Sequence, residues 1–456
     1  MLSILFHHFV PASLYGAQTI GPALLKIDRE FRRLGGDDLS AAIVEKGKLA
    51  LYAQLRSRFA RTPAQALALK LINICLAGYH FRARHAPLQS RPIGLIIDPS
   101  NMCRLACPGC VHSTHSESLK VFDWHNGTLS LDRFAALLRI YGPYLIGVYF
   151  CNFGEPLLNV GTPELIRAAK GYLTWTALST SLSVQRLDAD AYVESGLDFM
   201  ILSIDGATQR VYERFRRGGN LELVFDNIRK LVVARRRLRK KTPVLSWKFL
   251  AFEHNAHEIP EAARTARSLG VDQFQVVSPY DVSWDVPDIR AASVKTRLRR
   301  LNWLSMANQP ENWNPFPEDL ETEAIAHAFE TPLCKSEPRR GKPSSGSGHT
   351  CHWLYKSLVM DATGRILPCC SAPRPDADLV FAHFDGRGDP FNSQKHLSAR
   401  AFFSAGTVPF HSAPYCIKCD WDQTGVVIGG AEIRRYFRAV DPAYFDRRSL
   451  RLLSEW

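Results

Sequence analysis

Cys103, Cys107 and Cys110 lie in the stretch Ile96-Ile97-Asp98-Pro99-Ser100-Asn101-Met102-Cys103-Arg104-Leu105-Ala106-Cys107-Pro108-Gly109-Cys110, at spacing C-x3-C-x2-C. Three thiolates can hold three irons of a cubane [4Fe-4S] cluster, whose usual complement is four cysteines, so one iron is left open. A purely electron-carrying cluster closes its fourth position, whereas a catalytic one needs room there for a small molecule. A zinc knuckle or three packed core thiols would also use these residues, but zinc sites more often pair two tight C-x2-4-C hooks.

Three further constellations lie downstream. Asn152-Phe153-Gly154-Glu155-Pro156 follows an apolar run, and Gly154 would let the backbone approach a ligand closely. Leu202-Ser203-Ile204-Asp205-Gly206 precedes Tyr212-Glu213-Arg214-Phe215-Arg216-Arg217-Gly218-Gly219. Cys351 is followed by twelve residues, Gly364, four residues and Cys369, and later by Cys416-Ile417-Lys418-Cys419. Four thiolates complete a cluster, and they also make a good zinc site. Cys370 is an alternative ligand, whereas Cys75, Cys151 and Cys334 read as ordinary buried thiols.

Together these motifs resemble the radical S-adenosylmethionine (radical SAM) superfamily with a C-terminal SPASM or shortened twitch-like auxiliary domain. The resemblance covers about 93 to 420. It implies that Cys103, Cys107 and Cys110 bind the cluster that meets S-adenosylmethionine. It also implies that Asn152, Phe153, Gly154 and Glu155 form the turn receiving the methionine amino group, and that Ser203 and Arg216 lie near the cofactor ribose and carboxylate. Arginine suits a carboxylate by its forked donors. Asp205 reads equally well as a turn residue capping the next helix. Thr180 aligns with a family T-N-G turn, but Ser181-Leu182 replace Asn-Gly, which puts a cofactor role there in doubt. The C-terminal pattern lacks the C-x5-C-x3-C continuation of a full SPASM domain, so Cys351, Cys369, Cys416 and Cys419 imply one auxiliary [4Fe-4S] cluster.

The elements that must position these residues are legible in the apolar periodicity. Candidate strands run 93 to 97, 145 to 151, 176 to 181, 199 to 204, 244 to 251 and 273 to 278. Helix starts stand at Ser130-Leu131-Asp132 and Thr162-Pro163-Glu164, with a stop at Leu269-Gly270. Repeated βα units imply a parallel sheet with right-handed crossovers and ligands at the carboxyl ends of its strands. Six units fit a partial (β/α)6 TIM-like barrel. The run Arg235 to Lys241 closes a predicted helix and suits the negative end of its dipole.

Five regions are expected: a helical N-terminal extension (1–90), the core barrel (91–281), a linker or insert (282–350), the auxiliary cysteine-rich domain (351–420) and a helical tail (421–456). A helix over about 64 to 81 carries Lys70 near its middle and is short for a bilayer crossing, which favours core packing or surface attachment. The chain has 456 residues, 46% apolar, with eleven cysteines, a usage that excludes a disulfide scaffold or a disordered chain. No secretory leader is convincing, so the expected location is cytoplasmic. Net charge is +13, with twelve Lys/Arg against five Asp/Glu in residues 1–90. That surplus reads as a solvated basic face, or as attraction to an acidic partner or membrane surface, and not as a nucleic-acid site.

The family chemistry implied is reductive cleavage of S-adenosylmethionine to a 5'-deoxyadenosyl radical, with an electron donor such as flavodoxin or ferredoxin. The first expectation for the substrate is a small metabolite (sugar, polyol or natural-product intermediate) that is oxidised or rearranged. The alternatives are maturation of a ribosomally made peptide and, in another class, a non-enzymatic iron-sulfur or zinc scaffold. The sequence ranks no residue as acid or base.

Overall fold

The computed structural model describes residues 83–112, 126–277, 351–369 and 379–405, with positions 70, 73, 76, 77, 80, 81, 279, 289–292, 301, 302 and 416. The six expected strands form at β1 (Gly94–Ile97), β2 (Gly147–Phe150), β3 (Trp175–Thr180), β4 (Phe199–Ser203), β5 (Val244–Leu250) and β6 (Gln273–Val277). Between them run α1 (Leu131–Tyr141), α2 (Thr162–Lys170), α3 (Ala189–Glu194), α4 (Gln209–Phe215), α5 (Leu221–Arg237) and α6 (Ile259–Ser268). Every neighbouring pair from β1 to β6 is parallel, as helical crossovers require.

Local signals set the helix ends. Ser130 caps α1 by accepting from the Arg133 N–H at 3.3 Å, and Asn220 caps α5 by accepting from the Leu223 N–H at 3.0 Å. Gly270 ends α6 with φ at +79°, a left-handed conformation that glycine adopts without a Cβ penalty. The last turn of α5 carries Arg235, Arg236 and Arg237 at the negative end of the helix dipole. Arg235 also pairs with Asp272 and donates to the Pro243 carbonyl at 2.9 Å.

Among the described residues the sheet does not close on itself. It continues past β1 into the downstream cysteine region through β8 (Ser357–Met360), which is parallel to β1, and the antiparallel β9 (Arg365–Leu367) and β10 (Ala382–His383). At the other edge β7 (Leu301–Asn302) is antiparallel to β6. A short α7 (Trp353–Lys356) leads into β8, and α8 (Gln394–Ala405) follows β10. Asp361 to Gly364 form the β8–β9 connection. Its Asp361 side chain accepts from the Thr363 and Arg365 N–H groups, both at 2.9 Å, and from Arg365 Nε at 2.6 Å.

The two faces of the sheet differ. Leu95, Ile97, Phe150, Met200, Leu202, Trp247 and Phe249 face the helices in one large core; the Phe134 and Phe150 rings stand 5.8 Å apart and those of Phe225 and Trp247 5.9 Å apart. Alternate residues, from Ile96 and Tyr149 across to Lys248 and Gln275, line the face away from the helices.

Positions 70, 73, 76, 77, 80 and 81 are helical, within the helix expected over 64–81. Lys70 Nζ donates to the carbonyls of Gly142 and Leu145, which end α1 and lead into β2. This segment therefore packs at the amino ends of the strands, opposite the ligand-binding end. Most of the expected helical extension (1–69), the linker stretch 303–350 and the tail 421–456 lie outside the described residues.

Candidate active site

The loop after β1 is held from several sides before its cysteines begin. Leu129 N–H donates to the Pro99 carbonyl at 2.8 Å, and Asn159 Nδ2 donates to the Pro99 and Leu129 carbonyls at 2.9 and 3.0 Å. Asn101 exchanges two bonds with Gly127, at 3.1 and 2.7 Å. The Ala106 N–H donates to the Arg217 carbonyl at 3.0 Å, which docks the cysteine loop onto the Arg216–Gly219 stretch.

Cys103, Cys107 and Cys110 then converge on one apolar cluster with Leu105, Phe215, Phe252 and Ile289. Burial pushes the Cys103 thiol up to about 12, with the nearby Glu155 charge adding to it, and the Cys110 thiol up to about 11. Cys107 is raised by burial as well, against the lowering effect of Arg216. Thiols so placed become thiolates when a positive group arrives to offset their desolvation and mutual repulsion. Arg216 Nη1 stands 3.8 Å from Cys107 Sγ, a fixed cation beside that sulfur. Three soft sulfurs against apolar side chains, with one cation beside them, fit an iron-sulfur cluster, whereas hard ions take oxygen ligands. When bound, such a cluster supplies the electron that cleaves S-adenosylmethionine.

The Asn152–Pro156 turn meets this loop directly. The Glu155 N–H donates to the Met102 carbonyl at 2.7 Å, and a His112 ring nitrogen is 3.0 Å from the Phe153 carbonyl. A Cβ on Gly154 would stand 1.7 Å from the Ser100 carbonyl oxygen, so only glycine fits this approach. The Asn152 Nδ2 is buried without a hydrogen-bond partner. Asp98, fully buried just beyond β1, accepts from the backbone of Asn152, Phe153 and Gly154. Burial raises its carboxyl to about 7 although those three N–H groups oppose the shift.

The Glu155 side chain is spent on the end of β3. Its Oε1 accepts from Thr180 Oγ1 at 2.5 Å, and its Oε2 accepts from the Ser181 N–H at 2.8 Å and Oγ at 2.7 Å. Thr180 and Ser181 thus brace the turn by hydroxyl groups, a role the comparison with Asn-Gly did not suggest.

At the end of β4, Ser203 Oγ lies 3.2 Å from Ser179 Oγ. Asp205 does not cap α4; Thr208 occupies the N-cap. Instead Asp205 accepts from Arg216 Nε at 2.6 Å and from the Leu250 N–H at 2.7 Å. Burial disfavours the Arg216 charge, but Asp205 and Cys107 outweigh it and hold the guanidinium protonated. Arg216 therefore links Asp205 to a cluster cysteine. Lys248 and Gln275 are register partners of Ser203 across β5 and β6, and with Ser179 they make this wall polar. Burial lowers the Lys248 pKa, against the raising effect of Asp205. The opposite wall is apolar, with Ile96, Val359, Leu367 and Trp353 joined by Tyr149 and Phe153.

Cys351 and Cys369 pack against that apolar wall. Cys416 is buried in the main core, against which Cys351 also packs. Cys419, Cys370, Cys334 and Cys75 lie outside the described residues, and half-buried Cys151 sits at the end of β2. Among the described residues no three His, Cys, Asp or Glu side chains converge on a single metal ion. Ligands that each hold a different iron need not do so.

Comparison with known proteins follows the same residues. The chain is 25% identical over 287 residues to PqqA peptide cyclase from Gluconobacter oxydans, spanning 62% of this chain and 72% of that protein. It is 27% identical over 275 residues to GTP 3',8-cyclase from Moorella thermoacetica, spanning 59% and 78%. The GTP 3',8-cyclase of Limosilactobacillus fermentum matches at 28% identity over 134 residues, and there the chain spans 39% of the relative's length. Among solved structures, Streptococcus suis SuiB bound to S-adenosylmethionine superimposes with a TM-score of 0.42 at 17% identity, covering 73% of this chain and 72% of that one. Residues 97–237, from the end of β1 through α5 and so including the cysteine triad, the Gly154 turn and Arg216, match the Radical SAM superfamily model, so this stretch of the chain carries a radical SAM domain.

Proposed function

We propose that this enzyme modifies a peptide, abstracting hydrogen from a residue held between the polar wall of β3 to β6 and the apolar wall of β1, β2 and β8. The observation that carries this is the match to PqqA peptide cyclase, which extends over 287 residues and so well beyond the superfamily model. Chemistry on a small molecule, the first expectation from the sequence, stands second and is favoured by the match to GTP 3',8-cyclase.

In this reading the chain's own residues bind and orient. Cys103, Cys107 and Cys110 hold a [4Fe-4S] cluster, and the Asn152–Glu155 turn receives the amino group of S-adenosylmethionine. Ser203 faces the cofactor. Arg216, braced by Asp205, keeps a positive charge beside the cluster. The walls exclude water from the substrate, which is the protein's share of a reaction whose hard step belongs to the cofactor.

Cys351, Cys369, Cys416 and Cys419 hold one auxiliary cluster, which would take up the electron left on an oxidised substrate. About eight irons per chain are then expected, four in each of two cubanes; iron near four with stoichiometric zinc would contradict it. The peptide reading is tested by coexpressing the enzyme with the product of a short open reading frame beside its gene. Mass spectrometry should find the peptide changed only when Cys103, Cys107 and Cys110 are intact. An unchanged peptide, together with turnover of a small metabolite, would reverse the order of the two readings.

A further inference from the structure

Asp98 directs three successive backbone groups of the turn after β2. Its Oδ1 accepts from the N–H groups of Asn152 at 2.7 Å, Phe153 at 3.0 Å and Gly154 at 3.2 Å, and its Oδ2 from Phe153 at 3.2 Å. Consecutive N–H groups aimed at one anion form a nest. Here the anion belongs to the protein and is itself fixed, since the Asp98 N–H donates to the Met360 carbonyl on β8 at 3.1 Å.

Each peptide unit is planar and trans, so its carbonyl points opposite to its N–H. Pinning the N–H groups of Asn152, Phe153 and Gly154 inward therefore turns the carbonyls of Cys151, Asn152 and Phe153 the other way. The Phe153 carbonyl bears this out, because a His112 ring nitrogen meets it at 3.0 Å. Hydrogen bonds in a chain polarise one another, so a carboxylate behind these peptides also makes their carbonyls better acceptors.

We propose that Asp98 is the positioning residue of the cofactor turn, presenting the row of carbonyls from Cys151 to Phe153 to the ammonium group of S-adenosylmethionine. The inference rests on the reading of Asn152–Glu155 as the cofactor turn and adds the residue that sets it. Asp98 touches no substrate or cofactor; it acts through the backbone of the turn. Asp98→Asn places an amide donor against the Phe153 N–H and removes the negative charge while nearly preserving shape.

The test uses full-length protein, loaded anaerobically with iron, and measures the Kd of S-adenosylmethionine and of its analogue lacking the amino group. Asp98→Asn should raise the Kd of S-adenosylmethionine about tenfold, the scale of one charge-assisted hydrogen bond, at unchanged iron content. It should leave the Kd of the deaminated analogue within about twofold of wild type, because the carbonyl row then has no ammonium to receive. Equal weakening of both ligands would reduce Asp98 to general structural support and overturn the proposal, as would no change in either. Wild-type protein that holds its iron but binds no S-adenosylmethionine would overturn the cofactor reading itself. Should the variant take up no iron, amide exchange in the wild type decides. Slow exchange at Asn152, Phe153 and Gly154 before any cofactor is added supports the preset turn, and unprotected exchange overturns it.

Discussion

Arg216 carries more of the site than its position in an R-x-G-G pattern suggests. Its side chain is 15% exposed and that of its partner Asp205 is fully buried, so neither charge is well solvated without the other. Removing one partner of such a pair leaves an uncompensated buried charge, at a cost of about 3–5 kcal/mol. Asp205→Asn should destabilise the protein on that scale in denaturant unfolding of the metal-free chain, whereas Glu164→Gln, which breaks an exposed pair with Arg167, should cost under about 1 kcal/mol. Comparable small effects from both would mean that Asp205 does not hold Arg216. At this scale the structure brings together residues that the sequence singled out by type: the cysteine triad, Gly154 and Arg216. Asp98 was not singled out, although a charged residue directly after an apolar strand must find partners if buried. Nor was Lys248, whose neighbours come from other strands; Thr180 and Ser181 were noted only against a T-N-G turn, a pattern that does not announce their hydroxyl bonds to Glu155.

All six core strands were legible to within two residues, because buried parallel strands read as short apolar runs and βα units repeat. Less legible was the joining of the downstream cysteine segment to β1 through β8, a pairing between residues more than 250 positions apart. The N-terminal segment shows how an element is fixed by one atom. Lys70 is buried with its Nζ on the last carbonyls around α1, and burial lowers its pKa from 10.5 to about 7. Between those values the unfolded chain binds a proton that the folded chain does not, so this residue makes stability rise with pH across that window. Below about 7 both states are protonated and the full cost of the buried charge remains. Lys70→Met removes the dependence. The stability of the variant relative to wild type should therefore be greatest at and below neutral pH and decline toward pH 10.5, at up to about 1.4 kcal/mol per pH unit. A pH-independent difference in denaturation midpoints would contradict this account of the docking.

Across the described residues, the open sheet places one cysteine loop at the carboxyl ends of its strands and packs Cys351 and Cys369 against its apolar wall. Among the described residues no helix is long and apolar enough to cross a membrane. The central proposal is that an open iron on Cys103, Cys107 and Cys110 meets S-adenosylmethionine held by the neighbouring turn. Anaerobically iron-loaded, full-length protein given S-adenosylmethionine and dithionite should yield 5'-deoxyadenosine and methionine, and the triple change of Cys103, Cys107 and Cys110 to Ala should abolish that yield. Iron-loaded wild type that forms no 5'-deoxyadenosine, or a triple variant that forms as much as wild type, would contradict the account.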